Sequence, residues 1–132
     1  MAGKIIADQI EHSTAGSVST QYVIEGSAKA WINFQGDSTA SDTADYTRDS
    51  LNLSVTLDNG TGNYTLGFTS NMGNANYCAV SSGHSTNIVE RNSQHTHVVA
   101  FTTSNFIILC NNSSSLARDW ALSTATVHGD LA

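Results

Sequence analysis

The chain has 132 residues, 39% of them hydrophobic and only 12% charged, with a net charge of −6. Its length accommodates one domain with a core, and its charged fraction is about half the roughly 25% of an average globular protein. Low hydrophobicity combined with low charge excludes the composition of a disordered chain. The five basic residues, Lys4, Lys29, Arg48, Arg91 and Arg118, are dispersed, which argues against a phosphate-binding surface and hence against nucleic-acid partners.

No stretch approaches about 18 consecutive apolar residues, so no membrane-spanning helix is expected, and the N-terminus reaches Asp8 before an apolar signal segment can form. The chain therefore reads as soluble and without a secretion signal. Proline is absent, which suits β ladders, where it would remove donors.

Residues 1–28 read as an N-terminal arm. Ile5, Ile6 and Ile10 suit a short amphipathic turn or an extended piece, and Ser13 to Thr20 is small and polar. Val18, Tyr22 and Ile24 continue a sparse alternation that can become a strand once it has something to pair with. An arm that cannot bury its own apolar residues often does so on a partner, which makes Ile5, Ile6, Ile10 and Val18 the candidate partner-binding residues; the alternative is that the arm packs on its own domain.

From Lys29 onward the signals are those of strands. Ala30, Ile32 and Phe34 share one side of the first, with Trp31 on the other. Residues 35–49 form a polar, acidic loop carrying Asp37, Asp42, Asp45, Asp49 and one aromatic, Tyr46. Leu51, Leu53, Val55 and Leu57 alternate with polar residues, so one strand would carry all four on one face. Asp58-Asn59-Gly60-Thr61-Gly62 supplies the positive φ angles of a tight hairpin, with the second glycine suited to a bulge. Tyr64, Leu66 and Phe68 then resume the alternation.

After a polar turn region at 69–76, residues 77–80 form a short strand and residues 81–92 a second long loop. The strand 94–101 places His95, His97, Val99 and Phe101 on one face. A turn leads into a strand at 106–110, and the closing segment, 118–128, has Trp120, Leu122, Thr124 and Thr126 along one face. Short strands separated by turn signals, without a convincing helical period, predict an all-β, antiparallel β-sandwich over 29–132 with an extended N-terminal arm over 1–28.

Chemistry-bearing residues are sparse. His95 and His97, at i and i+2 on a strand, project to one side and can meet a metal only if other copies supply further ligands, so no metal ligand is assigned. Ser, His and Asp are all present, but without GxSxG no catalytic triad is singled out. The loop acids read as a solvated loop rather than a glycosidase pair, and no phosphate or dinucleotide fingerprint occurs. No catalytic residue and no cofactor is expected. Cys78 and Cys110 sit in apolar strand-like runs and read as reduced core residues, with a cross-strand disulfide as the alternative. Trp31 and Trp120 read as core or interface residues, with sugar stacking as the alternative.

The order GSAKAWINF, an acidic insertion, RDSLNLSVTLDNGTGNYTLGFTSNM and NANYCAV resembles a module of bacteriophage tail-fibre and related virion proteins, especially those of cyanophage-like phages of aquatic bacteria. GKIIADQIEHSTAGS is similar to the segment that precedes that module, so the resemblance spans roughly residues 3–80. It implies a non-enzymatic virion protein, a short tail fibre or a decoration protein, assembled in the host cytoplasm. It further implies a homotrimer with a displayed β-sandwich and an arm that contacts other virion proteins, and possible contact with host-surface glycan; that neither nucleic acid nor membrane is expected as a partner follows from the dispersed basic residues and the absence of a long apolar stretch. The alternative is a free-standing lectin-like carbohydrate-binding module.

Overall fold

A computed structural model describes residues 6–37, 46–85 and 94–132. Eight strands form two antiparallel four-stranded sheets. The first has the order β4-β3-β10-β7, built from β3 (Ala28–Phe34), β4 (Thr47–Leu51), β7 (Cys78–His84) and β10 (Leu122–His128). The second has the order β5-β6-β9-β8, built from β5 (Leu53–Asp58), β6 (Asn63–Phe68), β8 (Gln94–Val99) and β9 (Asn105–Asn112). Together they make the antiparallel sandwich that the alternation predicts.

The alternation places the core between the sheets. Ala30, Ile32 and Phe34 of β3 and Ala125 and Val127 of β10 face Leu53 and Val55 of β5, Tyr64, Leu66 and Phe68 of β6, and Phe106, Ile108 and Cys110 of β9, all of them buried. Aromatic rings cluster at both ends of β6. Phe34 packs edge-on against Tyr64 with centroids 5.2 Å apart, and Phe68 packs edge-on against Tyr77 at 5.4 Å, geometries that the ring quadrupole favours.

The single strand expected from Leu51 to Leu57 is divided. Asn52 takes φ 57° and carries the chain from β4 in one sheet to β5 in the other. Its side chain fixes the crossing by donating to the Ser70 carbonyl at 3.0 Å and accepting from the Ser70 N–H at 2.6 Å. A bulge between Val55 and Leu57 then resets the face, so Leu53 and Val55 are core while Leu51 and Leu57 are 51% and 53% exposed. Asn52→Ala removes these two bonds and a longer one to the Lys29 carbonyl at 3.4 Å and places alanine in the left-handed region, so it is expected to lower unfolding free energy by about 2 kcal/mol, measurable by urea denaturation.

Other boundaries also differ from the sequence expectations. Tyr46, in the predicted acidic loop, is buried and donates to Asp58 at 3.1 Å. Met72, in the predicted polar turn, is buried and bridges to Leu131. β7 runs on to His84, into the predicted loop, because β10 pairs with it along its whole length. Ala100 at φ 53° ends β8, and Phe101 leaves the histidine face to pack on Tyr77 and Phe106. Leu122, Thr124 and Thr126 line the outer face of β10, and Trp120, just before that strand, is buried on the inner side.

The N-terminal segment is a hairpin followed by a helix. β1 (Gln9–His12) pairs with β2 (Gly16–Ser19), and α1 (Thr20–Gly26) follows directly. Tyr22 and Ile24 therefore lie on a helix, not on the strand their spacing suggests. The Ser19 hydroxyl caps it by accepting from Gln21 N–H at 3.3 Å, and Gln21 donates to Glu25 at 2.8 Å one turn on. No described helix is long and apolar enough to cross a membrane.

Candidate functional site

Three arrangements carry unspent chemistry: the N-terminal segment, the outer face of the first sheet, and the latch that closes one end of the sandwich.

In the N-terminal segment, Ile10 and Val18 are direct cross-strand partners and therefore project from the same face of the hairpin. Ile10, Val23 and Ile24, with Ala7 and Thr20, line a cleft of about 270 Å³ between hairpin and helix. Thr20 ties the start of the helix to the start of the hairpin, its backbone N–H donating to Asp8 at 2.9 Å and its hydroxyl to Ala7 at 2.7 Å. Ile6, Ile10, Val18, Tyr22, Val23 and Ile24 are all exposed, and the helix has no buried residue. Of the four residues proposed from sequence, Ile6, Ile10 and Val18 thus lie in one exposed apolar segment, and Ile5 falls outside the described residues.

The outer face of the first sheet holds Trp31. The registers place Leu51, Trp31, Thr126 and Val80 in one row across all four strands. Trp31 is half-buried, whereas Leu51 and Val80 are exposed. The row toward the end of β3 is Asp49, Asn33, Thr124 and Ser82. Toward its start lie Lys29, His128 and Cys78, with His128 Nδ1 3.0 Å from the Gly26 carbonyl. Cys78 is an exposed free thiol on this face while Cys110 is a buried free thiol. The core reading therefore holds for Cys110 only, because Cys78 occupies an outward position of β7, and neither forms the alternative disulfide.

The latch joins the hairpin turn to the segment before β10. Tyr64, fully buried, points its hydroxyl at the Gly36 carbonyl, 2.9 Å away, and at the Asp119 carboxylate. Asp119 also accepts the Gly62 N–H at 2.6 Å. Burial first, and the Asp119 carboxylate second, hold the Tyr64 phenol protonated far above its ordinary range. A phenol held in its neutral form between a carbonyl and a carboxylate, and kept protonated by its raised pKa, is a structural strut. Burial and the adjacent Asp58 likewise raise Tyr46.

The remaining sequence candidates are dispersed. His95 and His97 are exposed on the outer face of β8, opposite Asn111 and Leu109, and no group of three or more metal-ligating side chains occurs among the described residues. Trp120 is 1% exposed, which removes it as a sugar-stacking platform. Asp37 and Asp49 are described, whereas Asp42 and Asp45 lie outside the described residues. The outward row around Trp31 is not legible in the sequence, because Leu51 stands in an alternation that reads as a single core face and Val80 in the apolar run NYCAV. The turn at Asn52 and the pairing of β7 with β10 turn them outward.

Comparison of the chain with protein-family models, with curated proteins and with solved structures finds no match in any of the three. What can be stated of class therefore rests on the structure itself: an all-β, two-sheet antiparallel sandwich preceded by an apolar hairpin and helix.

Proposed function

We propose that the chain is a non-enzymatic structural component of a bacteriophage virion, a short tail fibre or surface decoration protein. Residues 1–28 anchor it to other virion proteins, and residues 29–132 form the displayed sandwich. The observation that carries this reading is the energetics of the N-terminal segment. A two-stranded hairpin alone is marginal in water, and so is a helix shorter than about 12 residues. Here a four-residue strand pair and a seven-residue helix leave all of their large apolar side chains exposed. Fully burying one such side chain is worth about 1.5–3 kcal/mol, so a partner that covers Ile10, Val18, Val23 and Ile24 supplies what the segment lacks. The neutral, hydroxyl-rich strands and the resemblance of residues 3–80 support a display role, with assembly as a homotrimer and contact with host glycan as its further parts.

Deleting residues 1–28 is expected to leave a cooperatively folding sandwich and to abolish incorporation into phage particles, measured by quantifying the protein in purified virions. Normal incorporation of the truncated chain refutes the anchoring role. A second reading, a free-standing carbohydrate-binding module, is favoured by one observation, the half-buried Trp31 on an open sheet face. Saturable glycan-array binding that is lost in Trp31→Ala would support it over the first.

A further inference from the structure

We infer that the outer face of the β4-β3-β10-β7 sheet is a self-complementary surface that pairs with the same face of a second copy about a twofold axis. Its central row, Leu51, Trp31, Thr126 and Val80, runs perpendicular to the strands. On this face Asp49 lies two residues from Leu51 toward one end of the sheet, and Lys29 lies two residues from Trp31 toward the other. At about 3.4 Å per residue, each charge is about 7 Å from the row and the two are about 14 Å apart along the strands, too far to pair within one chain.

Each is correspondingly unpaired by an opposite charge among the described residues. Lys29 donates only to the carbonyl and hydroxyl of Ser27, at 3.2 and 2.6 Å, and Asp49 accepts the N–H of Ser50 at 2.9 Å. A twofold axis lying along the central row reverses the strand direction of the second copy. The apolar row then stacks on itself, and the Lys29 end of each copy lies over the Asn33–Asp49 end of the other. Both charges find partners in one operation, as an isologous interface requires.

The rest of the face suits this occupant. Thr124, Thr126 and Ser82 carry hydroxyls, which both donate and accept and so can meet their own kind. Four strands about 4.8 Å apart and about seven residues long give a face of roughly 19 by 24 Å. Two such faces bury close to the roughly 1,000 Å² at which specific interfaces begin, so the pair is expected to be reversible. This inference goes beyond the virion reading and does not depend on it: truncating residues 1–28 removes Ala28 and the Ser27 partner of Lys29 but keeps the central row, Lys29 and Asp49. If the chain also forms a threefold assembly, the two operators together still give an even number of copies.

The test is the native mass of the full chain by sedimentation equilibrium. The wild type is expected to contain an even number of chains, and Val80→Lys, which sets like charges against each other at an exposed position, is expected to halve that number. Lys29→Asp and Asp49→Lys are each expected to weaken association about tenfold, and the double exchange K29D/D49K to restore it, since the pairs then re-form with opposite sense. A monomer, an odd number of chains, a mass unchanged by Val80→Lys, or a double variant no stronger than either single one would overturn the twofold pairing. Circular dichroism of each variant distinguishes lost association from lost folding.

Discussion

Gly62→Ala is expected to destabilise the fold by roughly 3–5 kcal/mol, a large part of the 5–15 kcal/mol that holds a typical domain together. Gly62 sits at φ 67°, where any other residue begins with a conformational penalty. A methyl group there would fall on the Cys110 carbonyl oxygen and come within 2.9 Å of the backbone nitrogen and oxygen of Arg118. These obstacles are backbone atoms, which cannot rotate away as a side chain can.

The contacts at risk are those that tie the hairpin to its neighbours. The Gly62 carbonyl accepts the Cys110 N–H at 2.7 Å, the Gly62 N–H donates to Asp119 at 2.6 Å, and Arg118 N–H donates to the Cys110 carbonyl at 2.9 Å. Gly60 provides the control. It too has positive φ, 108°, but a methyl group there meets nothing within 4 Å, so Gly60→Ala is expected to cost only the conformational term, about 1 kcal/mol. Urea unfolding of the two variants separates the readings, because near-equal losses would show that the close approach at Gly62 relaxes.

The turn itself was legible in sequence because Asp58-Asn59-Gly60-Thr61-Gly62 encodes its φ angles locally. The reason for the second glycine was not, since Cys110 and Arg118 reach it only through the tertiary fold. The same division runs through the molecule. Tyr64, Leu66 and Phe68 were placed correctly by period-two alternation, a property of neighbouring residues. Leu51 and Leu57 obey the same alternation yet face outward, because Asn52 adopts a left-handed conformation and the strand bulges after Val55. A two-residue period is reset by any single irregularity, and neither Asn52 nor Thr56 announces one.

The N-terminal segment was legible as apolar residues without a core, which is a statement about composition. That Tyr22 and Ile24 belong to a helix was hidden, because seven residues span only two turns and establish no period. The face around Trp31 was the least legible, since it depends on which strands lie beside β3. Lys29 and Asp49 become two corners of one surface only when β4 pairs with β3, and no local pattern links residues 20 positions apart.

Stability is expected to hold up to about pH 9 and then to fall steeply toward pH 12, through groups buried in their neutral forms. Burial pushes the Cys110 thiol from 9.0 up to about 11, against a smaller opposing effect of Ser123, and pushes Tyr77 from 10.0 up to about 12, against a smaller opposing effect of the Thr102 backbone. Tyr64 and Tyr46 move in the same direction, for the reason of burial first and carboxylate neighbours second. In each case the folded state holds its proton more tightly than the unfolded chain. Below the unfolded value both states are protonated and the contribution is fully present; above it the unfolded chain alone releases protons, and stability is lost as pH rises through the folded value.

For Cys110, which is completely buried, a shift of two units is worth about 2.7 kcal/mol, lost between pH 9 and 11. Cys110→Ala should therefore flatten the first part of the decline, after allowing for a constant loss from the smaller side chain. Tyr77→Phe should flatten the part between pH 10 and 12. Urea midpoints measured at intervals from pH 7 to 12 decide the matter, with the phenolate absorbance recorded alongside. Titration of Tyr46, Tyr64 and Tyr77 at the ordinary tyrosine value in the folded protein, or a midpoint independent of pH over this range, would show that these side chains are open to solvent and that the core at both ends of β6 is looser than its packing indicates.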